Sequence, residues 1–272
     1  MKNIRIACVI CCSPVGQIRQ NLDVMAGWVR QAKKDDAAIV CFPEMNITGY
    51  STHEDIRRIA EPVTGPISNE LKQLAASENI VILAGLAESD GTGRIYATHL
   101  AIRPNGKIDR YRKLHIAPPE QDIFTPGSDI PLIETHEITF GIQLCYDSHF
   151  PELSTHLALK GADLIFIPHA SPRGTPGEKR RSWMRHLSAR SFDNAVFVAA
   201  TNQTGANRKG LKFPGLALVL DPSGDVIAEN LNNRPGLLLA DLNVGALSRV
   251  RSHRMRYFLP HRRTDLFGGN PL

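Results

Sequence analysis

The chain has 272 residues, of which 42% are hydrophobic and 22% charged, with a formal net charge of +5. That length exceeds one minimal core but fits a single large α/β domain, and the composition excludes a disordered chain. No apolar run reaches the ~18 residues that would span a bilayer, and so mild a positive charge does not point to nucleic acid.

Residues 4–10 alternate as a first strand, and the short apolar stretch that contains Arg5 is a poor signal peptide. Helical spacing of Leu22, Met25, Ala26 and Val29 predicts a helix over 17–34. Short β-rich runs follow at 37–42 and 80–86, with a helix at 67–78 between them. Residues 96–102 and 107–111 flank the turn Pro104-Asn105-Gly106. A strand over 138–144 leads to a helix over 152–160, opened by Pro151 and closed by Gly161. Residues 164–168 form a strand, 178–194 a helix, and 196–200, 215–220, 226–229 and 237–242 the remaining strands. Hairpins mixed with strand–helix units exclude a purely alternating barrel and fit two sheets covered by helices. No linker or repeat divides the chain, so residues 1–244 read as one domain and 245–272 as a tail packed on it or on a subunit partner.

Five cysteines, Cys8, Cys11, Cys12, Cys41 and Cys145, form no disulfide framework and predict a reducing, cytoplasmic compartment. No Cys-x-x-Cys or His pair is matched by a second pair downstream, so no metal is expected. Cys8, Cys11, Cys12 and Cys41 read as small core residues.

Three strand ends carry chemistry. Glu44 follows the buried run Ala38–Pro43, Lys113 follows a polar–apolar strand, and Cys145 ends the strand before Pro151. A solvated glutamate, a solvated lysine and an inert buried cysteine would each account for one of these alone. Together they supply a base, a cation for an oxyanion and a nucleophile. A tight strand-to-helix turn at Cys145 would lift the thiol beside free backbone N–H groups, although the flanking glycines of a nucleophile elbow are missing.

The residues Phe42-Pro43-Glu44-Met45-Asn46-Ile47-Thr48-Gly49-Tyr50, Tyr111-Arg112-Lys113-Leu114-His115 and Cys145-Tyr146-Asp147, the last followed by Phe150-Pro151-Glu152-Leu153, stand in the order of the carbon–nitrogen hydrolase (nitrilase) superfamily, which the chain resembles over almost its whole length. The resemblance implies a four-layer α-β-β-α sandwich and a Glu-Lys-Cys triad of Glu44, Lys113 and Cys145. It puts a second glutamate at Glu120, which would orient Lys113 or the substrate. It also implies a homodimer or larger homo-oligomer that pairs through helices beside the site, and chemistry without a cofactor. The oxyanion would rest on Lys113 and the backbone N–H of Tyr146. True nitrilases usually carry Cys-Trp-Glu after the nucleophile, and this chain has Cys145-Tyr146-Asp147. The expected reaction is therefore hydrolysis of an amide or N-carbamoyl group through a thioester. A true nitrilase and a catalytically silent scaffold are the alternatives.

Substrate contacts are expected from Tyr50, His169 and Arg173, the last on a loop where it would hold a carboxylate. Glu178-Lys179-Arg180-Arg181 reads as a solvated helix start. The tail arginines, from Arg249 to Arg263, fit a subunit contact or ion pairs better than nucleic acid.

Overall fold

The computed structural model describes residues 1–266. Fourteen strands and six helices appear among them. The first half holds β1 (Ile4–Ile10), α1 (Ile18–Lys34), β2 (Ile39–Cys41), α2 (Ile56–Ile59), α3 (Pro66–Glu78), β3 (Val81–Ser89), β4 (Ile95–Ile102) and β5 (Ile108–Arg112). The second continues with β6 (Ile133–Glu134), β7 (Thr139–Ile142), α4 (Pro151–Leu159), β8 (Leu164–His169), α5 (Pro176–Asn194) and β9 (Phe197–Asn202). Then come β10 (Gly205–Ala206), β11 (Lys212–Phe213), β12 (Ala217–Leu220), β13 (Val226–Asn230), β14 (Gly236–Leu242) and α6 (Val244–Arg251).

Two six-stranded sheets result, ordered β14-β1-β2-β3-β4-β5 and β13-β12-β9-β8-β7-β6. Each has a parallel centre, β1-β2-β3 in one and β7-β8-β9 in the other. Side-chain alternation sets the layers. Ile6, Cys8 and Ile10 face Phe140, Phe166 and Phe197 between the sheets. The intervening Ala7 and Val9 pack with Leu22, Met25 and Val29 of α1 and Leu71 of α3. On the far side, Ile165 and Ile167 meet Leu157 of α4 and Trp183 and Leu187 of α5. The architecture is the expected four-layer α-β-β-α sandwich.

The principal elements match the sequence pattern, with shifted ends. The strand predicted over 138–144 pairs only over Thr139–Ile142, because the backbone beyond it turns toward Cys145. Helix α5 starts at Pro176, two residues before the predicted start. Thr175 caps it: its side chain accepts the Glu178 N–H, and Glu178 Oε2 accepts the Thr175 N–H at 2.8 Å. In the predicted tail, α6 buries Leu247 and Val250, and Leu259 is buried after it. Arg251 donates to Asp163 Oδ1 at 2.7 Å and to the carbonyls of Ala162 and Ala195. Residues 267–272 of that tail lie outside the described residues.

Candidate active site

Glu44, Lys113 and Cys145 follow β2, β5 and β7, so one carboxylate and one ammonium come from the first sheet and the thiol from the second. The Glu44 loop lies on β3 at Gly85, where a Cβ would stand 2.5 Å from the Met45 nitrogen. Asn46 Oδ1 accepts the Gly85 N–H at 2.8 Å, and the Gly85 carbonyl accepts the Ile47 N–H. Gln203 Nε2 donates to the Glu44 carbonyl at 2.8 Å. The backbone of Glu44 is thus held from both sheets.

Lys113 is 1% exposed and Glu44 0%. Lys113 Nζ donates to Glu44 Oε1 at 2.9 Å and to both oxygens of Glu120 at 2.9 Å. Tyr50 Oη donates to Glu120 Oε1 at 2.7 Å, and the Ala117 N–H to Glu120 Oε2 at 3.0 Å. The second oxygen of Glu44 accepts the Ala170 N–H at 3.0 Å. Every member of this buried network has a partner, as buried charge requires.

The charges act on one another. Burial raises the Glu44 carboxyl to about 7, opposed by Lys113 and reinforced by Glu120. Burial alone would drive the Lys113 ammonium down, but Glu44 and Glu120 hold it well above the ordinary lysine value. Burial, with Glu44 adding to it, pushes the Cys145 thiol up, while Lys113 and the Ala170 N–H pull it down.

Cys145 opens a short 3-10 turn, Cys145–His149, and has a left-handed φ of 44°. That conformation is costly for a residue with a side chain, so the surroundings must hold it. Asp147, fully buried, accepts the Leu144 N–H at 2.9 Å, the Tyr111 hydroxyl at 2.7 Å and the His115 N–H at 2.8 Å. The Ser148 hydroxyl donates to the Cys145 carbonyl, and Arg190 of α5 donates to the carbonyls of Ser148 and His149. Tyr146 is the second residue of this turn, where a helical N–H has no partner within the turn. The sequence reading gave no structural role to Asp147, Gln203 or Arg190, and used Asp147 only to set the chain apart from true nitrilases. Only the place of Asp147 two residues after the thiol could have hinted at one.

The other predicted contacts are more dispersed. Tyr50 joins the charge network through Glu120. His169 is buried, stacked on Trp183 at 4.0 Å between ring centroids, and both its ring nitrogens lack a hydrogen-bond partner. Arg173 is exposed on the loop after β8 with φ 68°, and its backbone N–H bonds the Lys212 carbonyl. Two readings need correction. Cys12 is half-exposed rather than a core residue, because the chain leaves β1 at Ile10. Lys179 is not a solvated residue of a helix start. It is half-buried and donates to Ser171 Oγ at 2.9 Å and the Pro172 carbonyl at 3.1 Å, since α5 begins early enough to turn it onto that loop.

A family model for carbon-nitrogen hydrolases matches residues 5–252. A deaminated glutathione amidase of Bos taurus is 30% identical over 93% of this chain and 81% of its own length. A probable nitrilase of Schizosaccharomyces pombe is 29% identical over 96% of each chain. An amidase structure from Nesterenkonia sp. superposes with a TM-score of 0.85 at 24% identity, covering 98% of this chain and 95% of that one.

Proposed function

Since the chain belongs to the carbon–nitrogen hydrolase family, we propose that it cleaves amide or N-carbamoyl groups with Cys145 as nucleophile, Glu44 as base and Lys113 as oxyanion cation. The observation that carries this reading is the buried Glu44–Lys113–Glu120 network, closed on the second sheet through the Ala170 N–H to Glu44.

The environment suits each role. A thiol raised by burial does not stand as thiolate, so its proton must leave as it attacks. Glu44, near 7, is matched to take that proton and to return it to the leaving nitrogen. Thiolate attack on the carbonyl carbon forms a tetrahedral oxyanion. Lys113 and the Tyr146 N–H would hold that oxyanion, each donor contributing about 3–4 kcal/mol. Expulsion of ammonia or an amine leaves a thioester. Glu44 then deprotonates a water that attacks it, which frees the acid and the thiol. Glu120 keeps Lys113 aimed, and Tyr50 keeps Glu120 aimed, so these two act by positioning.

The five free thiols support a reducing, cytoplasmic setting. Leu159 of α4 and Phe192 of α5, both exposed, support a homo-oligomer formed through those helices. Ammonia release from matched amides, N-carbamoyl compounds and nitriles, by wild type and Cys145→Ala, tests the reading. Release from amides or N-carbamoyl compounds by wild type alone is expected. Release from nitriles only would make the chain a nitrilase, and no release from any would make it a silent scaffold.

A further inference from the structure

Lys179 is placed against its own interest. It is the fourth residue of α5, close to the helix N-terminus, where the macrodipole disfavours a cation. Its ammonium is half-buried, yet among the described residues no carboxylate lies within ion-pair distance of it. The neighbouring Glu178 is committed to the Thr175 cap, and Arg180 to Glu229. Burial lowers the Lys179 pKa. Only two neutral oxygens, Ser171 Oγ and the Pro172 carbonyl, hold the ammonium. An ammonium has three donors, so one is left over.

The loop that holds it is tied down by side-chain hydrogen bonds and adjoins the chemistry. Asn202 clamps Ser171 from both sides, its Oδ1 accepting the Ser171 N–H at 2.9 Å and its Nδ2 donating to the Ser171 carbonyl at 3.0 Å. Ser171 follows Ala170, whose N–H bonds Glu44. Glu44 and the Lys179 ammonium are therefore anchored to consecutive residues, about 3.8 Å apart at their Cα atoms. Without Lys179 the site is poor for an anion: Lys113 is outnumbered by the two carboxylates it touches.

We infer that Lys179 is a specificity residue, which receives a carboxylate carried by the substrate some bonds away from the scissile amide or carbamoyl carbon. The inference rests on the proposed amidohydrolase reading and adds the substrate class to it. A bound carboxylate supplies the counter-charge that Lys179 lacks, takes its spare donor and gains from the nearby end of α5. Orientation follows, because the fixed loop sets the carboxylate relative to Glu44.

The test compares monoamides of linear dicarboxylic acids with neutral amides of equal chain length, such as succinamate with butyramide. It uses wild type, Lys179→Met, Lys179→Arg and Arg173→Ala. In wild type, kcat/KM for the best acid should exceed that of its neutral counterpart at least tenfold. In Lys179→Met that ratio should fall to within about twofold, mainly through KM of the acid, and Lys179→Arg should restore most of it. Arg173→Ala should keep the wild-type ratio. A ratio near one in wild type, a ratio that survives Lys179→Met, or its loss in Arg173→Ala alone overturns the inference and leaves the amidohydrolase reading standing. If wild type cleaves neither class, the amidohydrolase reading is decided by the wider panel of amides, N-carbamoyl compounds and nitriles, and calorimetry on Cys145→Ala decides for Lys179. Succinamate binding that disappears in Cys145→Ala/Lys179→Met supports the carboxylate contact, and no binding to Cys145→Ala overturns it.

Discussion

Tyr111 donates its hydroxyl to Asp147 Oδ2 at 2.7 Å, and this bond ties the strand that leads to Lys113 to the turn that carries Cys145. Both residues are buried, and the same carboxylate also takes N–H groups from Leu144 and His115. Asp147→Asn should lower kcat by about 10–100-fold and lower Tm, because an amide NH2 would face donors that need an acceptor, at about 1–3 kcal/mol. Tyr111→Phe should cost less, about 1 kcal/mol, since it removes one donor and leaves Asp147 with others. Paired kcat and thermal-unfolding measurements check this, and an unchanged kcat in Asp147→Asn would remove Asp147 from the positioning of the thiol.

Thiol labelling separates two roles of Glu44. Cys8, Cys11 and Cys41 are buried, whereas Cys145 and Cys12 are partly exposed. Iodoacetamide should therefore modify only Cys145 and Cys12, as mapped by mass spectrometry. In Glu44→Gln, labelling of Cys145 should slow while that of Cys12 stays constant. The carboxylate also raises the Cys145 pKa by its charge, so faster labelling in Glu44→Gln would show that its charge outweighs any service as a base.

Lys113→Ala should lower kcat at least ~100-fold. It should also lower Tm, because Glu44 and Glu120 would be left buried without their cation, a loss of about 3–5 kcal/mol. In Lys113→Ala/Glu120→Gln one of those charges is gone, so Tm should recover in part while kcat stays low. Recovery of kcat together with Tm would make Lys113 a structural ion only.

The acidic limb of kcat/KM should follow Glu44, rising with pH through about 7 as the carboxyl loses its proton and becomes a competent base. Glu120 raises that value by its charge, so Glu120→Gln should move the limb to lower pH. A pH–rate series on both proteins checks the direction. A limb that stays in place would mean that the two carboxylates do not sense each other.

Much of this was legible in the chain. Alternation in 4–10 and 164–168 reports which side chains face the opposite sheet and which face helices, because a strand in the middle of two layers must be apolar on both sides. Glu44, Lys113, Glu120 and Cys145 stand out by motif. What could not be read is what reaches them across space. Gln203 and Asp147 are ordinary polar residues until β-sheet register brings one under the Glu44 carbonyl and the other under Tyr111. Lys179 looked solvated because it sits in a charged run, and only the Thr175 cap, which starts α5 early, turns it inward. Cys12 looked apolar by type, but exposure after a strand end depends on the loop that covers it.

The division of the site between two sheets makes catalysis a gauge of the spacing across the central layer. Glu44 and Lys113 follow strands of one sheet, and Cys145 and Ala170 follow strands of the other. Phe140 and Phe166, edge to face at 5.3 Å, help to set that spacing. Two core truncations of equal stability cost therefore differ in their effect on turnover. One at Phe166 should let Cys145 drift relative to Glu44, whereas one at Leu71, beneath α3, should leave the seam intact. On warming, activity should fade as the seam loosens, before the far-UV signal of either sheet is lost.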